Sequence, residues 1–389
     1  MNITKATTIL TMIGLALCLT VSGAWARADK TTYPVVFAHG MMGFDQFLGI
    51  DYFGSDYGVF VGDPCDQFLE ISCNRKIDRN QQAYAAEVNP FQSSEYRGLE
   101  LADDIESYLA TVGADGVNIV GHSQGGVDAR KAARLLRERM GHRVVHALIS
   151  ISSPHRGSSV SGNLLENGED GFNAIVAFLA GSVVNSLFYV EKGDYFASMK
   201  AFYYDDWDPA DDEVTGCKAF NTNYPVSETD AGYYGSLITA AQDGHNPILM
   251  GLGLLAPLDI DGDGWCGATD VDGNLLDCQG DGVAGDGDGD FEDGDDDGLV
   301  GISSQQMGYR LSYTEGGWFK KSGFSEDTAM GYVGNLNAPT EIQSTSYSSV
   351  LPYDHLDVCG LGIIPYVIED SFDEIQFYAD LIDYIADRE

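Results

Sequence analysis

Short apolar runs alternate along the chain with stretches in which apolar residues recur every three to four positions. Tyr33–Ala38 is a short apolar run stopped by His39-Gly40, and Val117–Val120 and Val144–Ile151 are two more. Runs of this length bounded by turn formers read as strands buried on both faces. From Glu95 to about Val112, Leu99, Leu101, Ile105 and Leu109 follow a helical period with acids opposite them, and Gly125 to about Met140 is a second amphipathic helix. Strands alternating with helices predict a mostly parallel central sheet flanked by helices, an α/β architecture. Residues 44 to 90 show no such period and read as irregular, Gly- and Asp-rich chain.

The first residues follow a different rule. Lys5, the apolar run Ile9–Val21 and then Ala24-Trp25-Ala26 have the form of an export leader, so residues 1–26 are expected to be removed. That run is too short to span a bilayer comfortably, and no later stretch is long and apolar enough to do so. The expected destination of 27–389, read as a single domain, is outside the cell by way of the periplasm. Export changes how the cysteines read: Cys65, Cys73, Cys217, Cys266, Cys278 and Cys359 remain after cleavage. In an oxidising compartment, proximity favours Cys65–Cys73 and Cys266–Cys278 and leaves Cys217 with Cys359; the alternative is that some stay as buried thiols.

Gly121-His122-Ser123-Gln124-Gly125 fits G-x-S-x-G between a predicted strand and a predicted helix, the setting of a nucleophile elbow. A serine needs a base, and the chain has seven histidines. His355 lies late in the chain, as the order Ser…Asp/Glu…His requires, while His155 in a loop after a strand is the weaker alternative. Carboxylates are abundant between the two, and Asp297 stands with Asp295 and Asp296 as candidates to orient the imidazole. Backbone N–H groups of Met41 and Gln124 are placed to form an oxyanion hole. The nearly apolar stretch at 174–190, within a region of about 160–200, reads equally as a core helix or as a lid and acyl-pocket wall.

With these motifs in place the chain resembles the bacterial true lipases of the Pseudomonas/Burkholderia type. The resemblance rests on Tyr33–Asp45, Glu95-Tyr96-Arg97-Gly98, Val117–Gly126, Ser153–Ser158, Phe220–Pro225, Asp297-Gly298-Leu299-Val300 and His355-Leu356-Asp357. It implies an α/β-hydrolase fold with a helical lid, and hydrolysis of long-chain acylglycerols at an oil–water interface by Ser123, His355 and Asp297. It also implies a structural calcium, a dedicated foldase chaperone and a secretion machinery. Asp357 matches one calcium ligand and Asp259 stands in for a second carboxylate, but Leu361 replaces an expected glutamine and Ile302 an expected cysteine.

Composition adds two constraints. Of 389 residues, 44% are hydrophobic, enough for a large core, and 60 acids against 21 bases give a net charge of −39. That surplus argues against a nucleic-acid binder and against attraction to anionic membranes. Fifteen of the acids fall in the Gly-rich insertion 259–297, which contains no Lys or Arg. There Asp259, Asp261, Asp263, Gly264 and Asp270 stand at positions 1, 3, 5, 6 and 12 of an EF-hand-like loop, and Asp286, Asp288 and Asp290 repeat its first half. Calcium is therefore expected there as well, and no organic cofactor. The reading is a secreted triacylglycerol lipase. A non-lipolytic esterase or aliphatic polyester hydrolase with the same triad is the nearer rival, and a calcium-dependent surface or adhesion protein with an inactive hydrolase core the remoter one.

Overall fold

The computed structural model describes residues 28–41, 46–47, 50–51, 77, 81–158, 161, 173, 192–202, 216–240, 297–317, 320–338, 340, 342–343, 346–359 and 374–389. The expected leader, Cys65, Cys73, Cys266, Cys278, the apolar stretch 174–190, the side chain of Cys359 and the acidic insertion before Asp297 lie outside them.

A central sheet is built from β1 (Val35–Ala38), β4 (Ala83–Ala86), β5 (Val117–His122), β6 (Val145–Ile151), β7 (Ala231–Thr239), β8 (Gly308–Thr314) and β10 (Tyr332–Val333). Their spatial order is β10-β8-β7-β6-β5-β1-β4, with β9 (Gly323–Glu326) on β8 and β11 (Val350–Leu351) on β7. All neighbours from β4 to β8 run parallel, whereas β9 and β10 are antiparallel to β8. Two-residue strands β2 (Gln46–Phe47) and β3 (Ile50–Asp51) make a separate antiparallel pair. The stretch read as irregular thus supplies β4, whose small residues carry almost no periodic signal.

Strands β1, β4, β5, β6 and β7 each feed both faces of the sheet. In β1, Val35 and Phe37 enter one apolar cluster and Val36 and Ala38 the other, which is why the run has no polar alternation. Helices α1 (Ser94–Val112) and α2 (Gln124–Met140) cover the second face through Leu101, Ala102, Ile105, Leu109, Ala129, Ala132, Ala133 and Leu136. Leu99, expected on the buried stripe of α1, is 40% exposed instead. Ser93 caps α1 by accepting the Tyr96 N–H, and Gly113 ends it at φ 72°. On the first face lies the C-terminal helix, whose Phe377, Tyr378, Leu381, Ile382 and Ile385 are buried. Two further helices, α3 (Lys192–Ala201) and α4 (Cys217–Asn223), precede β7, and a short α5 (Ile302–Gln305) and the C-terminal α6 (Glu374–Ala386) complete the set named here. Cys217 is buried, its Sγ 3.1 Å from the Ala201 carbonyl, and the side chain of its expected partner Cys359 lies outside the described residues. Among the described residues no helix is long and apolar enough to cross a membrane.

From β1 the chain passes to β4 on one side, then crosses by α1 to β5 on the other. The carboxyl ends of β1 and β5 therefore form a topological switch point, where open α/β sheets place their ligands. Packing of α6 on the first face depends on Phe377, fully buried and edge-on to Tyr313, Phe324 and Tyr378 at 5.0, 5.2 and 5.2 Å. Phe377→Ala is expected to lower the unfolding free energy by about 3–5 kcal/mol in urea titrations of the full chain. A loss under about 1 kcal/mol would show that α6 is not integral to the core.

Candidate active site

Ser123 sits between β5 and α2 with φ 53° and ψ −129°, a left-handed backbone that a residue with a Cβ adopts only under constraint. The constraint is close packing. A Cβ at Gly125 would lie 2.2 Å from the Ala38 carbonyl oxygen, and one at Gly121 2.5 Å from the Gly126 nitrogen. Glycine at both positions lets α2 start almost in contact with the end of β1, with Ser123 half-buried at the apex. The Ser123 N–H is tied to the Ile151 carbonyl at 2.9 Å. Gln124 opens α2, so its N–H has no intrahelical acceptor and sits at the positive end of the helix.

The structure brings His355 and Asp297 to this serine. Ser123 Oγ lies 2.8 Å from His355 Nε2, and His355 Nδ1 lies 2.8 Å from Asp297 Oδ2. The geometry assigns the Nδ1–H tautomer, leaving Nε2 to accept the serine proton. His355 is also held through its main chain, its N–H donating to the Asp297 carbonyl at 2.8 Å. Asp297 is fully buried, and its Oδ1 accepts the N–H groups of Leu299 and Val300 at 3.1 and 2.9 Å. Asp297 alone of the three carboxylate candidates falls within the described residues, where its side chain faces the imidazole.

Met41 follows β1 as Gln124 follows β5, and Ala38 pairs with Gly121, so the two loops leave the sheet side by side. The carbonyls of His39 and Gly40 accept from the Arg97 guanidinium at 2.6 and 3.2 Å, and the same group donates to Asn89 O at 3.0 Å and to Asp128 Oδ2 at 2.7 Å. Both charges are buried, and burial outweighs Arg97 in setting the Asp128 carboxyl, pushed up to about 6. Burial, reinforced by Arg97, lowers His39 to about 3, which keeps it neutral, with Nδ1–H donating to the Gly40 carbonyl at 2.9 Å. Gln124 anchors the opposite side through Nε2, which donates to the Gln92 carbonyl at 2.8 Å.

The other histidines take structural places. His155, the alternative base, is fully buried, bonded to Ser150 Oγ at 3.0 Å, and its pKa is driven well below the usual value by burial. His122 is kept neutral by burial and by His355, and its Nε2–H donates to the His355 carbonyl at 2.9 Å. His142 bonds the carbonyls of Met140 and Asp115, and His146 stacks on Tyr33 at 3.7 Å. His245 lies outside the described residues.

Of the expected calcium ligands, Asp259, Asp261, Asp263 and Asp270 lie outside the described residues. Asp357 accepts the Asp354 N–H at 3.0 Å, while Asp354 Oδ1 accepts the Leu356 and Asp357 N–H groups at 2.9 and 3.0 Å. These bonds build the turn that presents His355. Among the described residues no three acidic, His or Cys side chains come together as a metal site.

A family model described as palmitoyl protein thioesterase matches residues 34–211. The triacylglycerol lipase of Vibrio cholerae serotype O1 is 34% identical over 161 residues, 39% of this chain and 45% of the relative. That of Burkholderia plantarii is 33% identical over 161 residues, 39% of each. The alignments thus span less than half the length of these curated relatives. Among solved structures, lipase 1 from Pelosinus fermentans is 17% identical, covers 92% of this chain and 99% of its own, and superposes with a TM-score of 0.52. The chain has the α/β-hydrolase fold.

Within that hydrolase fold, sequence reasoning missed the groups that hold the site: Arg97, Asp128, Asp354 and the donors around Asp297. Arg97 stood inside one resembling motif, yet only the fold places its guanidinium against the His39 loop. Arg97→Lys keeps the charge but cannot reach His39, Gly40, Asn89 and Asp128 together. We expect kcat on p-nitrophenyl butyrate to fall at least about tenfold with KM within about twofold. Unchanged kcat would show that the loop holds its position without this group.

Proposed function

We propose that the chain is an exported serine hydrolase that cleaves carboxylic esters of long-chain acylglycerols through an acyl-enzyme. The observation that carries this reading is the unbroken run from half-buried Ser123 Oγ to His355 and on to buried Asp297, both links 2.8 Å. Similarity to proteins named triacylglycerol lipase supports the acylglycerol class, and the leader-like residues 1–26 support export.

In this mechanism Ser123 Oγ attacks the ester carbonyl carbon as its proton passes to His355 Nε2. Asp297 stabilises the imidazolium and keeps its orientation. The oxyanion accepts from the N–H groups of Met41 and Gln124. Collapse breaks the bond to the alcohol oxygen, which takes the proton from His355. Water then gives its proton to Nε2 as it attacks the acyl-serine, and the fatty acid leaves as Ser123 is re-protonated. Calcium, proposed from the acidic insertion and Asp357, takes no part in these steps; a foldase and a secretion machinery belong to the same proposal. A second reading, hydrolysis of long-chain acyl thioesters by the same route, is favoured by the family model over 34–211.

Initial rates on emulsified triolein, p-nitrophenyl butyrate and palmitoyl-CoA, with calcium and after chelation, separate these readings. The expected result is triolein turnover that falls on chelation, and a loss of at least about 10⁴-fold in Ser123→Ala. Turnover of the short ester alone would make the protein a non-lipolytic esterase, and dominant palmitoyl-CoA turnover a thioesterase. Activity in Ser123→Ala close to that of the unaltered chain would remove the nucleophile assignment.

A further inference from the structure

Asp297 Oδ2 accepts a second hydrogen bond besides that of His355, from Thr239 Oγ1 at 2.9 Å. Thr239 ends β7, and its hydroxyl also lies 2.6 Å from Ser152 Oγ and 3.2 Å from Gln305 Oε1. All four side chains are fully buried. The proton positions follow from counting donors. Gln305 Nε2 lies 2.9 Å from each of the Thr239 and Val300 carbonyls, so both amide hydrogens are committed and Oε1 faces Thr239. That oxygen already accepts the Thr239 N–H at 2.8 Å. Of the two oxygens beside the Thr239 hydroxyl that can only accept, the Asp297 carboxylate at 2.9 Å is nearer than Gln305 Oε1 at 3.2 Å, so the single hydroxyl proton goes to Asp297 Oδ2. Ser152 must then donate to Thr239. The order is Ser152 O–H to Thr239 O–H to the Asp297 carboxylate.

Ser152 carries an independent mark. It follows β6 at φ 53°, the value found at Ser123, and its N–H is tied to the Leu237 carbonyl at 3.1 Å. A serine held in the left-handed region where glycine would be unstrained indicates that its side chain is required there.

We propose that Thr239, polarised by Ser152 and held by Gln305, is a positioning residue for the acid of the triad, fixing Asp297 Oδ2 on the imidazole. Oδ1 has two close donors, Leu299 and Val300, and Oδ2 has two, His355 and Thr239, with Gln305 Nε2 farther off at 3.5 Å. Removing the Thr239 donor leaves Oδ2 one bond short and free to rotate away from His355 Nδ1. This rests on the hydrolase reading above.

The test is steady-state kinetics on p-nitrophenyl butyrate and the rate of fluorophosphonate labelling, for the unaltered chain and for Thr239→Val, Thr239→Ser and Ser152→Gly. Thr239→Val should lower kcat about tenfold with KM within about twofold, and Thr239→Ser should restore it. Ser152→Gly relieves the backbone strain while deleting the relay hydroxyl, so it should lower kcat about two- to threefold without loss of thermal stability. Unaltered kcat in Thr239→Val overturns the proposal, as does equal impairment in Thr239→Ser, which would mean that packing is what matters. Should Thr239→Val not fold, the Ser152→Gly result decides: kcat at the level of the unaltered chain overturns the relay. An unaltered chain that neither turns over the ester nor takes the label defeats the hydrolase reading and the relay with it. Labelling of the unaltered chain and of Thr239→Val at one rate defeats the relay alone.

Discussion

The start of α2 lies so close to the end of β1 that no side-chain carbon fits between Gly125 and the Ala38 carbonyl. This contact sets most of the site. It leaves one residue to turn the chain from strand to helix, which forces Ser123 into the left-handed region and lifts its hydroxyl out of the sheet. It brings the first N–H groups of α2 beside the loop that carries Met41. And it puts the His39 and Gly40 carbonyls within reach of Arg97, whose carboxylate partner Asp128 belongs to α2 itself. Serine, helix terminus and the loop after β1 are thus tied together by one set of contacts.

His355 reaches that unit from 232 residues away and Asp297 from 58 residues before the histidine. Neither distance could be held by side-chain bonds alone against the entropy of the intervening chain. Main-chain bonds supply the difference. The His355 N–H is fixed to the Asp297 carbonyl, its carbonyl accepts from His122 within the elbow, and Asp354 and Asp357 close the turn around it. The imidazole is therefore positioned at both peptide groups before its ring bonds are counted.

The apolar runs at β1, β5 and β6 and the helical periods of α1 and α2 were legible because a parallel sheet buried on both faces leaves unbroken hydrophobic segments. β4 was not, since Ala83-Tyr84-Ala85-Ala86 owes its place to pairing with β1 rather than to its own pattern. Ser123 was legible from two glycines at fixed offsets, and His355 from order along the chain. Asp297 came only through resemblance, because three consecutive aspartates are chemically identical until a fold chooses one. Thr239, Ser152 and Gln305 left no local signal. Their significance lies in one hydroxyl meeting a carboxylate, with a second hydroxyl and an amide oxygen behind it, on segments distant in sequence.

The Arg97–Asp128 pair shows what such buried polar groups contribute. Burial pushes the Asp128 carboxyl up to about 6 even with the guanidinium 2.7 Å away. Its folded-state pKa lies above the unfolded value of 3.8, so by linkage its ionisation weighs against folding at neutral pH. That cost fades as pH falls from about 6 towards 3.8. Hydrocarbon at both positions would carry no such penalty. An apolar pair, however, has no means of holding three carbonyl oxygens on two different loops at fixed angles. Arg97 does so with a planar array of donors, and Asp128 orients that plane from α2. The pair is best understood as geometry obtained against stability, which is the exchange that Ser123 and Ser152 make in their backbones.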